Sequence, residues 1–166
     1  TGIDDLRAYG EVEIYAEERV CQSLKRTIPY CFGEIKYPGV PLISLHEIDE
    51  MPFDLHNTEI VPIRIWHHKL PILGFRIGAF AYLTDISGID DKEYEKLQNL
   101  DVLVVDALRL KPHFSHFTLE QAISFAEKTN AKEVYFTHIS HQLGKHDEIQ
   151  SLLPHNMMLA YDGLKI

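Results

Sequence analysis

Partway along the chain the apolar residues change their period. Residues 42–85 hold four or five short runs rich in β-branched and aromatic side chains, at 43–48, 53–56, 60–66, 73–77 and 80–84. Runs of that length and type predict strands that follow one another directly. Beyond residue 90 strand-like and helix-like segments alternate instead. Residues 101–105 and 133–136 read as buried strands, and between them Thr118 and Gln121 make a capping box. Leu119, Ala122, Ile123 and Ala126 follow it at i, i+3, i+4 and i+7, and Asn130 can end the helix. Asp90 and Glu93 can cap a shorter helix reaching about Gln98, another helix is expected over 147–152, and a last strand over 157–161. Ahead of all these, 12–16 alternates apolar and acidic residues as a half-buried strand does, and 17–27 carries Val20 and Leu24, followed by Ile28, at helical spacing. Residues 36–41, with two prolines and a glycine, read as loop. Strands that first run together and then alternate with helices predict an α/β layered sandwich.

The 166 residues fit one domain, expected over 1–166, with neither a linker nor a repeat to divide it. No apolar run approaches the roughly 18 residues that a membrane span needs. Sixteen Lys and Arg against 25 Asp and Glu give a net charge of -9, which disfavours a diffuse attraction to nucleic acid or to an anionic membrane. Cys21 and Cys31 are too few for a disulfide framework and do not form a Cys-x-x-Cys pair, so the cytoplasm is the expected compartment.

Ten histidines are the informative excess. Imidazole both binds metals and titrates near neutrality. His67-His68 follows Ile65-Trp66, Thr84-Asp85 follows Tyr82-Leu83, and Thr137-His138-Ile139-Ser140-His141 follows Val134-Tyr135-Phe136, so each group falls at an expected strand end. His113-x-x-His116 lies just before the capping box. Strand ends pin the backbone while the next loop aims side chains into a shared crevice. Imidazoles with a carboxylate suit a divalent transition metal, and an aspartate can bridge two. Any one of these histidines, taken by its local pattern, is more often an ordinary hydrogen-bonded residue than a ligand. Ser140 has no Gly-x-Ser-x-Gly elbow around it, which argues against a serine nucleophile.

The order His67-His68-Lys69-Leu70-Pro71-Ile72-Leu73-Gly74-Phe75-Arg76, then Tyr82-Leu83-Thr84-Asp85, then Thr137-His138-Ile139-Ser140-His141, then Tyr161-Asp162-Gly163 resembles the metallo-β-lactamase superfamily. Within it, the chain is most similar to the phosphoribosyl 1,2-cyclic phosphate phosphodiesterases of phosphonate catabolism. Gly2-Ile3-Asp4-Asp5-Leu6-Arg7 resembles the stretch that follows the His-x-His-x-Asp-His motif in that branch. The resemblance implies an αββα sandwich of which this chain is the C-terminal two-thirds, the first third with four metal ligands lying ahead of Thr1. It implies His67 as a ligand of one metal, Asp85 as the bridging ligand and His138 as a ligand of the second, the two ions being zinc or manganese. It also implies His116 as the catalytic group that meets the substrate phosphate and protonates the leaving oxygen, chemistry that an imidazole near neutrality can supply.

The expected function is therefore a metal-dependent phosphodiesterase on a small cyclic phosphate, such as phosphoribosyl 1,2-cyclic phosphate or a cyclic nucleotide, with residues 1–166 by themselves expected to be inactive because four ligands lie ahead of Thr1. An RNA-processing nuclease of the same superfamily and a catalytically dead, partner-binding scaffold are the competing readings, since a fold never establishes an activity. The net charge of -9 disfavours a long nucleic acid, and a homodimer is one expected assembly. Asp106 is expected to cap or to pair with Arg109. His141 is expected to support a ligand or to complete the turn after Thr137, and His46, His56, His146 and His155 to be surface residues.

Overall fold

A computed structural model describes residues 10–33 and 39–166. The opening motif at 2–7 and residues 36–38 of the expected loop lie outside the described residues. Two compact units divide the chain, one through Met51 and one from Pro52 to Ile166.

In the first unit the alternating segment forms β1 (Glu11–Ala16), followed by α1 (Glu18–Thr27) and a turn of 3₁₀ helix at Pro29–Cys31. The run expected to open the meander forms β2 (Leu42–Glu47), but it pairs in parallel with β1, setting Ile14 opposite Leu45 and Val12 opposite Ile43. Its apolar side chains are used by a small separate core of Ile28, Cys31, Val40 and Ile43, with Ile14, Leu24 and Leu45 packed around it. That demand for burial takes β2 out of the sequential order of strands.

In the second unit the expected meander is β3 (Phe53–Leu55), β4 (Thr58–His67), β5 (Leu70–Ile77) and β6 (Phe80–Leu83), each antiparallel to the next. The short β7 (Gly88–Ile89) adds to β4. Alternation with helices then gives β8 (Val102–Asp106), α2 (Leu119–Thr129), β9 (Glu133–Thr137), α3 (His146–Gln150) and β10 (Met157–Leu159). β6, β8, β9 and β10 are parallel neighbours, so the sheet runs in the order β10-β9-β8-β6-β5-β4-β3. A mixed sheet with helical crossovers is the α/β class expected from the sequence.

α2 is bounded as its residues dictate. Thr118 accepts from the Gln121 N–H while the Gln121 side chain takes the Thr118 N–H, and Asn130 closes the helix with a left-handed φ of 51°. Its Leu119, Ala122, Phe125 and Ala126 bury against Leu103, Val105, Val134 and Phe136 of the sheet. The segment after Asp90 is a 3₁₀ helix, Asp91–Leu97, and neither acid caps it. Asp90 instead accepts from the Trp66 indole N–H at 3.1 Å, and the buried Glu93 accepts from the Arg64 N–H at 3.1 Å and pairs with Lys96 at 2.8 Å. At Gly74 of β5 a Cβ would meet the end of the Leu83 side chain on the neighbouring strand and press on the Tyr82 carbonyl, so a larger residue there requires Leu83 to shift. No helix among the described residues is long and apolar enough to cross a membrane.

Candidate metal centre

β4 runs antiparallel to β5 and β5 antiparallel to β6, so β4, β6, β8 and β9 all point the same way. Their C-terminal ends reach one edge of the sheet, where open α/β sheets gather ligands. His67 is the last residue of β4, Asp85 stands two residues beyond β6, Asp106 ends β8, and His138 follows β9 directly. His116 comes from the loop between β8 and α2.

Backbone hydrogen bonds lash these ends together. Phe117 N–H donates to the Ile86 carbonyl at 2.9 Å, Leu108 N–H to Phe117 at 3.0 Å, Ala107 N–H to Thr137 at 3.0 Å and Ser140 N–H to Leu108 at 3.0 Å. Asp85 and His138 both take left-handed backbone, with φ of 59° and 57°. Few residues other than glycine sit there, Asp and His more readily than most, and the two turns hold both against that local cost.

The sequence-expected residues converge. His67, Asp85 and His116 each present one donor atom, all within 4.8 Å of one another. The Oδ1 oxygen of Asp85 lies 3.5 Å from His138 Nε2 and 3.7 Å from His116 Nδ1, so the carboxylate sits between two imidazoles. His116 Nε2 is 3.3 Å from His67 Nε2, and the His116 and His138 rings are 4.8 Å apart. The compact three-donor group is therefore His67, Asp85 and His116, two imidazoles and a carboxylate suited to zinc or manganese, and His138 reaches the same carboxylate at 3.5 Å.

Of the adjacent pair, His67 enters the cluster and His68 turns away. His68 opens the two-residue turn between β4 and β5 with a φ of 57°, and its N–H donates to Ser87 Oγ at 2.8 Å. His141 is exposed, and the turn after β9 is completed by Ser140, whose carbonyl takes the Leu143 N–H and whose hydroxyl takes the Gln142 N–H.

Asp106 is the functional group that its sequence neighbours obscured. It does not pair with Arg109, whose guanidinium donates to Gln142 Oε1 and to the carbonyls of Lys111 and Pro112. Asp106 is wholly buried, its Oδ1 accepts from the Ile86 N–H at 3.0 Å, and its Oδ2 lies 3.3 Å from His116 Nδ1. Neither of those last two atoms completes an aligned hydrogen bond. Burial pushes the Asp106 carboxyl up to about 7, and the nearby Asp85 pushes the same way against the Ile86 hydrogen bond. Burial likewise lowers His116, helped by the neighbouring His138 and His67 imidazoles and opposed by Asp85. Both shifts favour uncharged forms, so near neutrality the pair can hold one proton beside the cluster. The available signal was a single carboxylate ending the apolar run Val102-Leu103-Val104-Val105, where a charge has no cheap place in a core.

A surface cavity of about 440 Å³ is lined by His138 itself together with Thr137, Ile139, His146, Ala160, Tyr161 and Asp162. The Tyr161-Asp162 pair of the sequence motif thus borders the same site.

A family model described as a beta-lactamase superfamily domain matches residues 1–139. The chain belongs to the beta-lactamase superfamily, and its fold is that of the metallo-β-lactamases. Among solved structures it is similar to a diphosphatase of the PhnP family, 39% identical with a TM-score of 0.89, over 99% of this chain and 64% of that one. It is also similar to zinc-bound PqqB from Methylobacterium extorquens, with a TM-score of 0.73 over 98% of this chain and 67% of that one. At 14% identity the PqqB likeness speaks for the fold alone. A curated protein of Porphyromonas gingivalis named octanoyltransferase is 39% identical over 169 residues, covering 99% of this chain and 34% of that protein. The chain thus spans about a third of that relative's length.

Proposed function

We propose that the chain belongs to a divalent-metal-dependent phosphodiesterase of the cytoplasm that acts on a small cyclic phosphate, such as phosphoribosyl 1,2-cyclic phosphate or a cyclic nucleotide. The observation that carries this reading is the convergence of His67, Asp85, His116 and His138 beyond the C-terminal ends of co-directional strands. Identity of 39% to a diphosphatase over nearly the whole chain supports phosphoester or phosphoanhydride chemistry there.

His67, Asp85 and His138 would hold the metal, and His116, which forms a compact three-donor group with His67 and Asp85, stands within reach of the same position. Bound at these residues, zinc or manganese would polarise the phosphoryl oxygens and make hydroxide available near neutral pH. The remaining steps fall to the chain itself. His116 faces the cluster through Nε2 and gives its proton to the departing ribose oxygen, which would otherwise leave as an alkoxide. Asp106, behind Nδ1, fixes the direction of the imidazole and stabilises it as its charge changes.

Among the described residues, the octanoyl transfer named for the Porphyromonas gingivalis protein, of which this chain covers 34%, finds no equally suited group. Ser115 Oγ meets His113 Nδ1 at 3.2 Å, but Ser115 is only 4% exposed, and Cys21 and Cys31 are buried in the first unit. A hydrolase reading uses the cluster as it stands.

Metal analysis of two variants tests the assignment. Asp85→Asn removes the shared anion and is expected to lose most bound metal together with activity. His116→Ala should keep its metal while the rate on a cyclic phosphate falls about 10²- to 10⁴-fold. Full metal content in Asp85→Asn would overturn its role.

A further inference from the structure

We infer that Ser87 is a positioning residue whose hydroxyl clamps together the two strand ends that carry His67 and Asp85, and so sets the spacing of these metal-binding side chains. This role rests on the metal reading of the cluster and belongs to a residue outside the donor set.

His67 and Asp85 do not come from neighbouring strands. β5 lies between β4 and β6 in the sheet, so the two strands stand about 10 Å apart at the usual spacing. Donor atoms within 4.8 Å of each other therefore depend on how the turns beyond those strands fold. Residues 84–87 carry the chain from the end of β6 to the far edge of β4. There β7 pairs with Ile65 and Trp66, whose opposite edge is taken by β5.

Ser87 fixes the point of arrival. Its N–H donates to the Trp66 carbonyl at 2.7 Å, its hydroxyl donates to the same carbonyl at 2.8 Å, and its Oγ accepts the His68 N–H at 2.8 Å. That carbonyl belongs to the peptide before His67 and that N–H to the peptide after it. One hydroxyl thus holds both peptide planes that flank His67. Peptide groups are rigid, so holding the two planes fixes φ and ψ of His67 and with them the direction in which its side chain leaves β4. His68 takes left-handed backbone with a φ of 57°, and the hydroxyl gives its N–H an acceptor in that costly conformation. Ser87 is two residues from Asp85, so the clamp that aims one donor also anchors the turn that presents the other.

Ser87→Ala keeps the backbone bond to Trp66 and the pairing of β7, and removes the hydroxyl alone. Zinc affinity is measured by competition with a chromophoric chelator in full-length wild type, Ser87→Ala, Ser87→Thr and Thr129→Val, with thermal melts of the metal-free proteins. Thr129 is the control. Its hydroxyl likewise donates to one carbonyl, of Ala126 at 2.8 Å, and accepts one N–H, of Ala131 at 3.3 Å, but at the C-terminal end of α2. Ser87→Ala should weaken zinc binding about tenfold or more, and Ser87→Thr, which keeps the hydroxyl, should restore most of it. Thr129→Val should melt at a lower temperature with wild-type affinity. Wild-type affinity in Ser87→Ala, an equal loss of affinity in Thr129→Val, or no gain of Ser87→Thr over Ser87→Ala would overturn the role of Ser87 and leave the metal assignment standing. Failure of wild type to bind zinc would remove both.

Discussion

The Oδ2 oxygen of Asp106 lies 3.3 Å from Nδ1 of His116, and nothing of that carboxylate reaches solvent. The Ile86 N–H anchors its other oxygen, which leaves the second oxygen beside the imidazole without an aligned hydrogen bond. Ile86 adjoins Asp85, and His116 lies 3.7 Å from the Asp85 carboxylate. One strand-end turn therefore places Asp85 and the anchor of the Asp106 carboxylate together.

Asp106 is a positioning residue on this account. Asp106→Asn keeps the acceptor for Ile86 and removes the charge behind His116. It should lower kcat on a cyclic phosphate about 10- to 100-fold, with KM and metal content close to wild type. A steady-state comparison with metal analysis checks this. Loss of metal in proportion to loss of rate would instead make Asp106 part of the support for the ligands.

The same carboxylate gives the metal-free protein a pH signature. Its folded value of about 7 stands above the range of about 4 for an unfolded aspartate, so between these limits the folded chain keeps a proton that the unfolded chain releases. The stability contributed by this neutral carboxyl is therefore present below about pH 4 and is lost as pH rises toward about 7, by an amount on the order of 3 kcal/mol. Urea unfolding across that range should show a shallower decline for Asp106→Asn than for wild type. Parallel curves would mean that the carboxyl titrates normally.

Much of the fold is legible in local pattern. The capping box of Thr118 and Gln121, the apolar stripe behind it and Asn130 mark α2 within a residue or two, because all these interactions lie inside one short segment. The strand runs likewise survive nearly intact, since alternation and apolar runs report burial directly. What local pattern could not carry was choice of partner. β2 reads as the start of the meander but pairs with β1, and Glu93 reads as a cap but is drawn inward to the Arg64 N–H. Asp106 stands three residues from Arg109, which suggests a local pair, yet three acceptors in its own loops occupy the guanidinium. β7 has two residues, too few to show any period. At the site, His67, Asp85 and His138 were legible as residues at or near strand ends and His116 as one just ahead of the capping box, whereas the stack of Phe114 on His113 exists only once the loop is folded.

Gly74 connects packing to the site. Its missing side chain leaves the room that Leu83 fills, and Leu83 is the last residue of β6, two before Asp85. Gly74→Ala should destabilise the protein by about 1 to 3 kcal/mol through overpacking. It should also weaken metal binding, because relief of the clash shifts the end of β6. Thermal melts with and without added zinc read both effects, and unchanged stability would show that Leu83 can move aside freely.

Hydrolysis is proposed to depend on metal held by His67, Asp85 and His138. The direct test is the rate of hydrolysis of a cyclic phosphate before chelation, after chelation and after zinc or manganese is restored. The account predicts that chelation abolishes turnover and that the metal returns it in wild type but not in Asp85→Asn. Full turnover by protein shown to be free of metal would contradict it.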